Sequence, residues 1–375
     1  MDTYAVPDQQ RLYRARQQFL DGKPLPEDLL PASIARSWAR SRDAGLLPWQ
    51  PRLSQLDDQL HMLMPEDHLL ARHASPEIER LWQVLGGKAW TIFCVNTEGV
   101  IVRIAKDQNN LPPLQYLQVG RRVHEPEIGT TAPSCTLMEG KPIVLLGNQH
   151  YLNEFERFFC VSVPLWGTQG ELIGALDITG IGNRPVHSVL DQLNYAAMAV
   201  ENRLYDDLPK TNILHLQHDP RLFDTPFEGL IALDSQGCIQ AANRTARRLL
   251  GLDNQPLKGL RLDERFDTNL KTIIDNPTPE LIRLADGSQL YIRNQSQRSA
   301  ASLKLSTASA SSGAVKTPDR LAPPSGPTQA SFVSLNRPAR LSKPTFLFCS
   351  RVKRGLERRS LPAAFMTPAA LMPLL

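Results

Sequence analysis

Three histidines crowd one stretch, HMLMPEDHLLARH, as His61, His68 and His73, and five cysteines, Cys94, Cys135, Cys160, Cys238 and Cys349, are scattered along the chain. Imidazoles and thiolates ligate metals or act as nucleophiles, but only at restricted spacings. The histidines stand seven and five residues apart, on no common helical face, so they read as surface residues and no metal site is expected. The cysteines are odd in number and contain no C-x-x-C pair, which leaves buried, reduced thiols. No G-x-S-x-G, H-E-x-x-H, G-x-G-x-x-G or G-x-x-x-x-G-K-S/T occurs in the frame as translated. No catalytic residue, no cofactor and no enzymatic activity are therefore expected. One acidic group stands out: Asp177 interrupts the apolar run ALDITG, where it either meets a ligand or is tied to a sheet edge or turn.

The elements that must position these residues follow from periodicity. In EDLLPASIARSWARSRDAGLL, residues 27–47, Leu30, Ile34 and Trp38 fall four apart between start signals at Pro31 and Ser33 and a stop at Gly45, an amphipathic helix. Its Arg36, Arg40 and Arg42 read as a solvated face. Helical texture continues over residues 52–85. From Trp90 the pattern turns to strands: WTIFCVNTEGVIVRI and FFCVSVPLWGTQGELIGALDITG are hairpins around Asn96–Gly99 and Gly167–Gly170. Between them TAPSCTLMEGKPIVLLG reads as a short helix and a strand. Residues 186–208 form a long helix with Val189, Leu193, Ala196, Ala197, Val200 and Leu204 along one side.

A second, smaller unit begins near His218. FEGLIALDSQGCIQAANRTARRLLGL gives strand, turn, strand and a helix with Ala242, Ala246, Leu249 and Leu250 inward, and Asp286–Gly287 turns between two further strands. His215 and His218 read as linker residues ahead of it. The fold class expected is α+β: two antiparallel-sheet domains joined by a long helix, then a disordered C-terminal tail. An antiparallel sheet curling under a helix encloses an apolar space. For the first unit its lining is Phe93, Val95, Cys135, Leu137, Phe159, Val161 and Leu176, with Asp177 a further candidate, although ordinary core packing explains the same apolar residues.

Length and charge bound the rest. The chain has 375 residues, 42% of them hydrophobic, enough for two or three cores. It has no apolar run of membrane-spanning length, and MDTYAVPDQQRLYRARQQFL has no export-signal core, so a cytoplasmic protein with no membrane partner is expected. The net charge of +4 conceals a division: residues 297–375 hold 12 Lys and Arg against Asp319 and Glu357, whereas residues 1–296 hold 30 basic and 36 acidic residues. The acidic folded part is not a nucleic-acid surface. The tail, with 12 Ser and 9 Pro and no sustained period, reads as unable to fold.

Three stretches resemble a known family. SIARSWARSRDAGLLP (33–48), EIGTTAPSCTLMEGKPIVLLGNQHYL (127–152) and CVSVPLWGTQGELIGALDITG (160–180) are similar to the N-terminal sensory region of sigma-54-dependent transcriptional activators of the acetoin- and glycerol-catabolism type. That resemblance implies a GAF domain and, at 227–251 with Asn243 opening its helix, a PAS domain. The divisions expected are a helical segment at 1–75, a GAF-like domain at 76–208, a PAS-like domain at 212–294 and the tail at 295–375. Where the family tends to G-T-N-A-I-G-T-A-L, this chain has Gly129, Thr130, Thr131, Ala132, Pro133, Ser134, Cys135, Thr136 and Leu137, so its ligand preference need not be the inherited one.

Family members continue into an AAA+ ATPase with a phosphate-cradling Gly-rich loop, and a DNA-binding helix-turn-helix. Neither is legible in residues 294–375 as translated. Taking the third base of each codon with the first two of the next, however, Phe346–Leu347 to Pro368–Ala369 permit PVLLQGETGSGKEVLARGIHDAS, and Arg351 through Arg359 spell the loop GETGSGKE. The expectation is a frameshift between about Gln295 and Arg340. The competing reading is a real basic arm for nucleic acid or acidic partners. Function is expected to be effector sensing for control of a catabolic operon, with a short diol, hydroxyketone or aromatic metabolite as ligand and a homodimer formed through helix 186–208. No direct nucleic-acid binding is expected of the chain. The alternative is an interaction protein that modulates an intact paralogue by dimerising with it.

Overall fold

The computed structural model describes residues 8–53, 60–182, 186–209, 211–253, 255–257, 259–266 and 278–295. Of the proposed tail, Gln295 lies in a strand, paired with Ile213, and residues 296–375, with Cys349 and the shifted-frame segment, lie outside the described residues. Everything described belongs to one compact unit, built around two five-stranded antiparallel sheets.

The first sheet runs β2-β1-β5-β4-β3, with β1 Trp90–Asn96, β2 Ile101–Lys106, β3 Ile143–Leu146, β4 Phe158–Trp166 and β5 Leu172–Ile181. Both predicted hairpins form. Side chains alternate between its faces, and both faces are covered. Against one lie helices α3 (Pro65–Leu85) and α6 (Val186–Arg203), which place Leu70, Ala74 and Ile78, and Val189, Leu193 and Val200, on Ile92, Val161, Leu176 and Ile178. Against the other lie α1 (Gln9–Leu20), α2 (Ala32–Asp43) and α5 (Ala132–Glu139), with Leu12, Phe19, Ile34 and Trp38 in one core with Phe93, Val95, Cys135 and Cys160. A four-residue helix, α4 (Glu125–Ile128), precedes α5.

Gly129 turns the chain between α4 and α5 at φ 72 and ψ −159, a region only glycine enters at low cost, and a Cβ there would meet Leu152 Cγ at 3.3 Å. Thr131 then caps α5: its backbone N–H and its Oγ1 lie 3.1 and 2.9 Å from Ser134 Oγ.

The second sheet runs β8-β7-β6-β10-β9, formed by Asn212–Gln217 (β6), Gly229–Leu233 (β7), Ile239–Ala242 (β8), Glu280–Arg283 (β9) and Gln289–Gln295 (β10). Helix α7 (Arg244–Leu249) covers one face with Ala246, next to Ile231, Leu290 and Ile292. On the other face Tyr205, from the short 3-10 turn that ends α6, packs with Leu230, Ala232 and Ala241.

Several sequence expectations change. His215 is no linker residue. It sits buried in β6, and its Nδ1 lies 2.8 Å from Glu228 Oε2, because the second sheet starts six residues before His218. His73 is buried rather than on the surface, with Nε2 2.7 Å from Asp207 Oδ2. Arg36 and Arg40 are not simply solvated: they pair with Glu139 and Glu125, because α2 lies along α4 and α5. The apolar side of α6 is spent on its own sheet. Removing Val189, Leu193 and Val200 from that core would cost on the order of 5 kcal/mol before any contact with a second copy formed, so this stripe is not a free dimer seam. Helix α1 falls within the helical segment expected at 1–75, but its bounds and its buried side do not follow from the sequence pattern.

Candidate functional site

The N-terminal helices hold the loops around a cavity. Arg16 of α1 is fully buried, and its guanidinium donates to the carbonyl oxygens of His150 (2.9 Å) and Tyr151 (3.1 Å) and to Oδ1 of Asn148 (3.2 Å) and Asn153 (2.6 Å). Burial lowers its pKa. Trp38 of α2 donates its indole N–H to Gln149 O at 2.8 Å, so both helices grip the 147–155 segment. A second grip is ionic. Glu125 accepts from Ser37 Oγ and from Arg40, whose Nη2 is 2.9 Å away, while Thr130 Oγ1 sits 2.9 Å from Ser37 Oγ and 3.1 Å from Ser41 Oγ. The stretch SWARS therefore packs serines and an arginine against the 125–131 segment.

Between these two segments and the sheet lies an apolar cavity of about 30 Å³, walled by Leu53, Leu117, Ile128 and Phe155 and bounded on the sheet side by Phe93, Cys160 and Thr179. That volume is about one water's share of liquid. A buried polar chain runs beside it. Asp177 Oδ1 is 2.6 Å from Thr179 Oγ1, Thr179 Oγ1 is 3.2 Å from Cys160 Sγ, Cys160 Sγ is 3.2 Å from His150 Nε2, and His150 Nδ1 is 2.8 Å from Gly147 O.

Protonation states give this chain a direction. Burial pushes the Asp177 carboxyl up to about 8, holds the Cys160 thiol well above its ordinary value, and brings His150 down to about 4. At neutral pH the set is a carboxylic acid, a hydroxyl, a thiol and a neutral imidazole. One arrangement then satisfies every link: the Asp177 O–H donates to Thr179, the Thr179 O–H to Cys160, the Cys160 S–H to His150 Nε2, and the His150 Nδ1–H to Gly147 O. Asp177 Oδ2 remains buried with no hydrogen-bond partner. Asp177 is thus neither at a sheet edge nor bonded to a turn. It pairs across the centre of the sheet with Phe93 on β1 and Ser162 on β4.

The eight candidate residues do not share one side. Phe93, Val95, Cys135 and the partly buried Leu137 belong to the cavity-side core, and Asp177 follows the parity of Phe93. Phe159 and Val161, with Leu176, point the other way, into the core formed with α3 and α6, because odd and even positions of one strand face opposite sides. Of the eight, only Phe93 directly lines the cavity. His150, Thr179 and Cys160 were missed as a group; the one available signal was the polar pair Asp177 and Thr179, two residues apart in an apolar strand and so on one face.

The described fold has relatives. The model of the MimR N-terminal domain matches residues 7–199. The chain is 23% identical over 263 residues to a signal-transduction and transcriptional-control protein of Clostridium beijerinckii, covering 68% of this chain and 40% of that protein. It is 25% identical over 247 residues to the acetoin catabolism regulatory protein of Cupriavidus necator, covering 63% and 36%. Among solved structures, the E. coli DhaR(N)–DhaL complex aligns at 16% identity and a TM-score of 0.40, covering 70% of this chain and 99% of that one. The chain belongs to the MimR N-terminal domain family, the N-terminal sensory region of activators of the sigma-54 type. It spans about 40% or less of the length of these curated relatives.

No helix among the described residues is long and apolar enough to cross a membrane.

Proposed function

We propose that residues 76–208 form a GAF-like sensor and residues 212–294 a PAS-like partner domain, and that the cavity beside Asp177 takes a small hydroxyl-bearing metabolite whose binding controls transcription of a catabolic operon. The observation that carries this reading is an apolar cavity lined by Thr179, the hydrogen-bond partner of the buried acid Asp177, whose second oxygen has no partner. A short diol or hydroxyketone offers both an apolar body and a hydroxyl for the polar edge that Thr179 gives the cavity. Relatives named for acetoin catabolism and glycerol metabolism are consistent with that ligand class.

At about 30 Å³ the cavity is smaller than such a ligand, so entry requires its walls to move. Those walls are the segments gripped by Arg16, Trp38, Ser37 and Arg40. Ligand binding would therefore shift α1 and α2, and the binding energy is coupled to that displacement. A homodimer, as expected from the sequence, would use a surface other than the apolar stripe of α6.

A thermal-shift screen of the full chain with butane-2,3-diol, acetoin, glycerol and phenol tests the assignment, since a ligand of the folded state raises the melting temperature. A hydroxylated ligand that stabilises the native chain and loses its effect in Thr179→Val supports it. Stabilisation of equal size in that variant would place the ligand elsewhere.

A further inference from the structure

A groove of about 570 Å³ lies away from that cavity, between the start of α3, the tips of the β1–β2 and β4–β5 hairpins and the 204–208 turn. Its apolar side chains are unusually open to solvent: Met62 is 88% exposed, Met64 53% and Leu69 41%, and Leu172 and Ile173 continue the lining. Its rim is acidic. Glu66, Glu98, Glu171 and Asp207 all line it, and among the described lining residues none is lysine or arginine. Asp207 is paired with Arg72, whereas Glu66 and Glu98 are free of ion pairs among the described residues.

Two features decide the occupant. Flexible, polarisable methionines adapt to varied apolar partners, and an apolar strip flanked by carboxylates is complementary to a helix with one apolar face bordered by cations. The same carboxylates repel nucleic-acid phosphates and anionic lipid headgroups. We infer that this groove docks a Lys- or Arg-bearing amphipathic helix of a partner protein, with Met62, Met64 and Leu69 taking its apolar side and Glu66, Glu98 and Glu171 its cations.

The test uses the full chain and a fluorescein-labelled peptide of about 18 leucine and lysine residues, roughly five helical turns, with all leucines on one face. Anisotropy should report saturable binding that weakens about tenfold or more in Glu66→Gln/Glu98→Gln and falls as salt rises from about 50 to 500 mM. Met62→Ser/Met64→Ser should weaken binding by a similar factor with the salt slope unchanged, which separates apolar seating from charge. A leucine and glutamate peptide of the same pattern should not bind. Equal binding to both double variants, or equal binding of a lysine peptide with its leucines scrambled around the helix, would overturn the assignment and leave only diffuse attraction to an acidic surface. Light scattering is the second arm: a dimer lost in Met62→Ser/Met64→Ser would overturn it in favour of a contact between copies.

Discussion

Asp177→Asn tests the electrostatics of the site in a way that separates them from packing. The carboxyl holds its proton in the folded chain up to a pKa of about 8, against about 4 when unfolded. Because the folded value is the higher one, the associated stability is complete below about pH 4 and is lost as pH rises toward 8. The slope is about 1.4 kcal/mol per pH unit, and it levels off above the folded pKa. Between pH 5 and 7.5 the native chain should lose on the order of 3 kcal/mol from this residue alone. Asparagine keeps the shape and places an N–H where the acid O–H donates to Thr179, while removing the titration. Urea midpoints measured at half-unit steps from pH 5 to 8 should give a native-minus-variant difference that changes steadily in favour of asparagine as pH rises. A difference constant with pH would mean that Asp177 is already ionised in the fold, and the directed chain through Thr179, Cys160 and His150 would not stand.

Arg16→Met should lower stability by about 2–4 kcal/mol, since it leaves the carbonyls of His150 and Tyr151 without their buried donor while sparing the cost of a buried charge; chemical denaturation measures it. Glu125→Gln should cost about 1–2 kcal/mol by removing the nearer of Arg40's two anions, Glu139 Oε1 remaining at 3.8 Å, and proteolysis should reach α2 first. Asn243→Ala removes the cap on Ala246 N (2.8 Å) and the link to Asn202 Oδ1 (2.8 Å), so a loss of about 1–2 kcal/mol is expected, with faster amide exchange in both α7 and the end of α6.

Much of the framework was legible because its signals are local. Gly99, Gly170 and Gly287 mark hairpins that all form, and the four-residue apolar spacing in 186–208 announced α6. The site was less so. Strands β1, β4 and β5 are buried on both faces and read as continuous apolar runs, which carry no parity; Phe159 and Val161 were for that reason assigned to the cavity and belong behind it. His150 sits outside any periodic element and meets Cys160 only through the packing of the 147–155 segment. Helix α1, QQRLYRARQQFL, is so polar that Leu12, Ala15 and Phe19 gave no persuasive stripe, and Arg16 becomes interior only because four oxygens from one distant loop surround it.

Tyr205 bears on how such sensors are taken apart. Its ring belongs by sequence to the first sheet's helix yet sits 2% exposed among Leu230, Ala232 and Ala241 of the second. A junction just before Tyr205 leaves the ring with the second sheet, whereas one placed after Leu208 carries it off with the first and bares Leu230, Ala232 and Ala241. Transplanting the first half through Leu208 calls for a polar replacement at this one ring, and transplanting the second calls for keeping it.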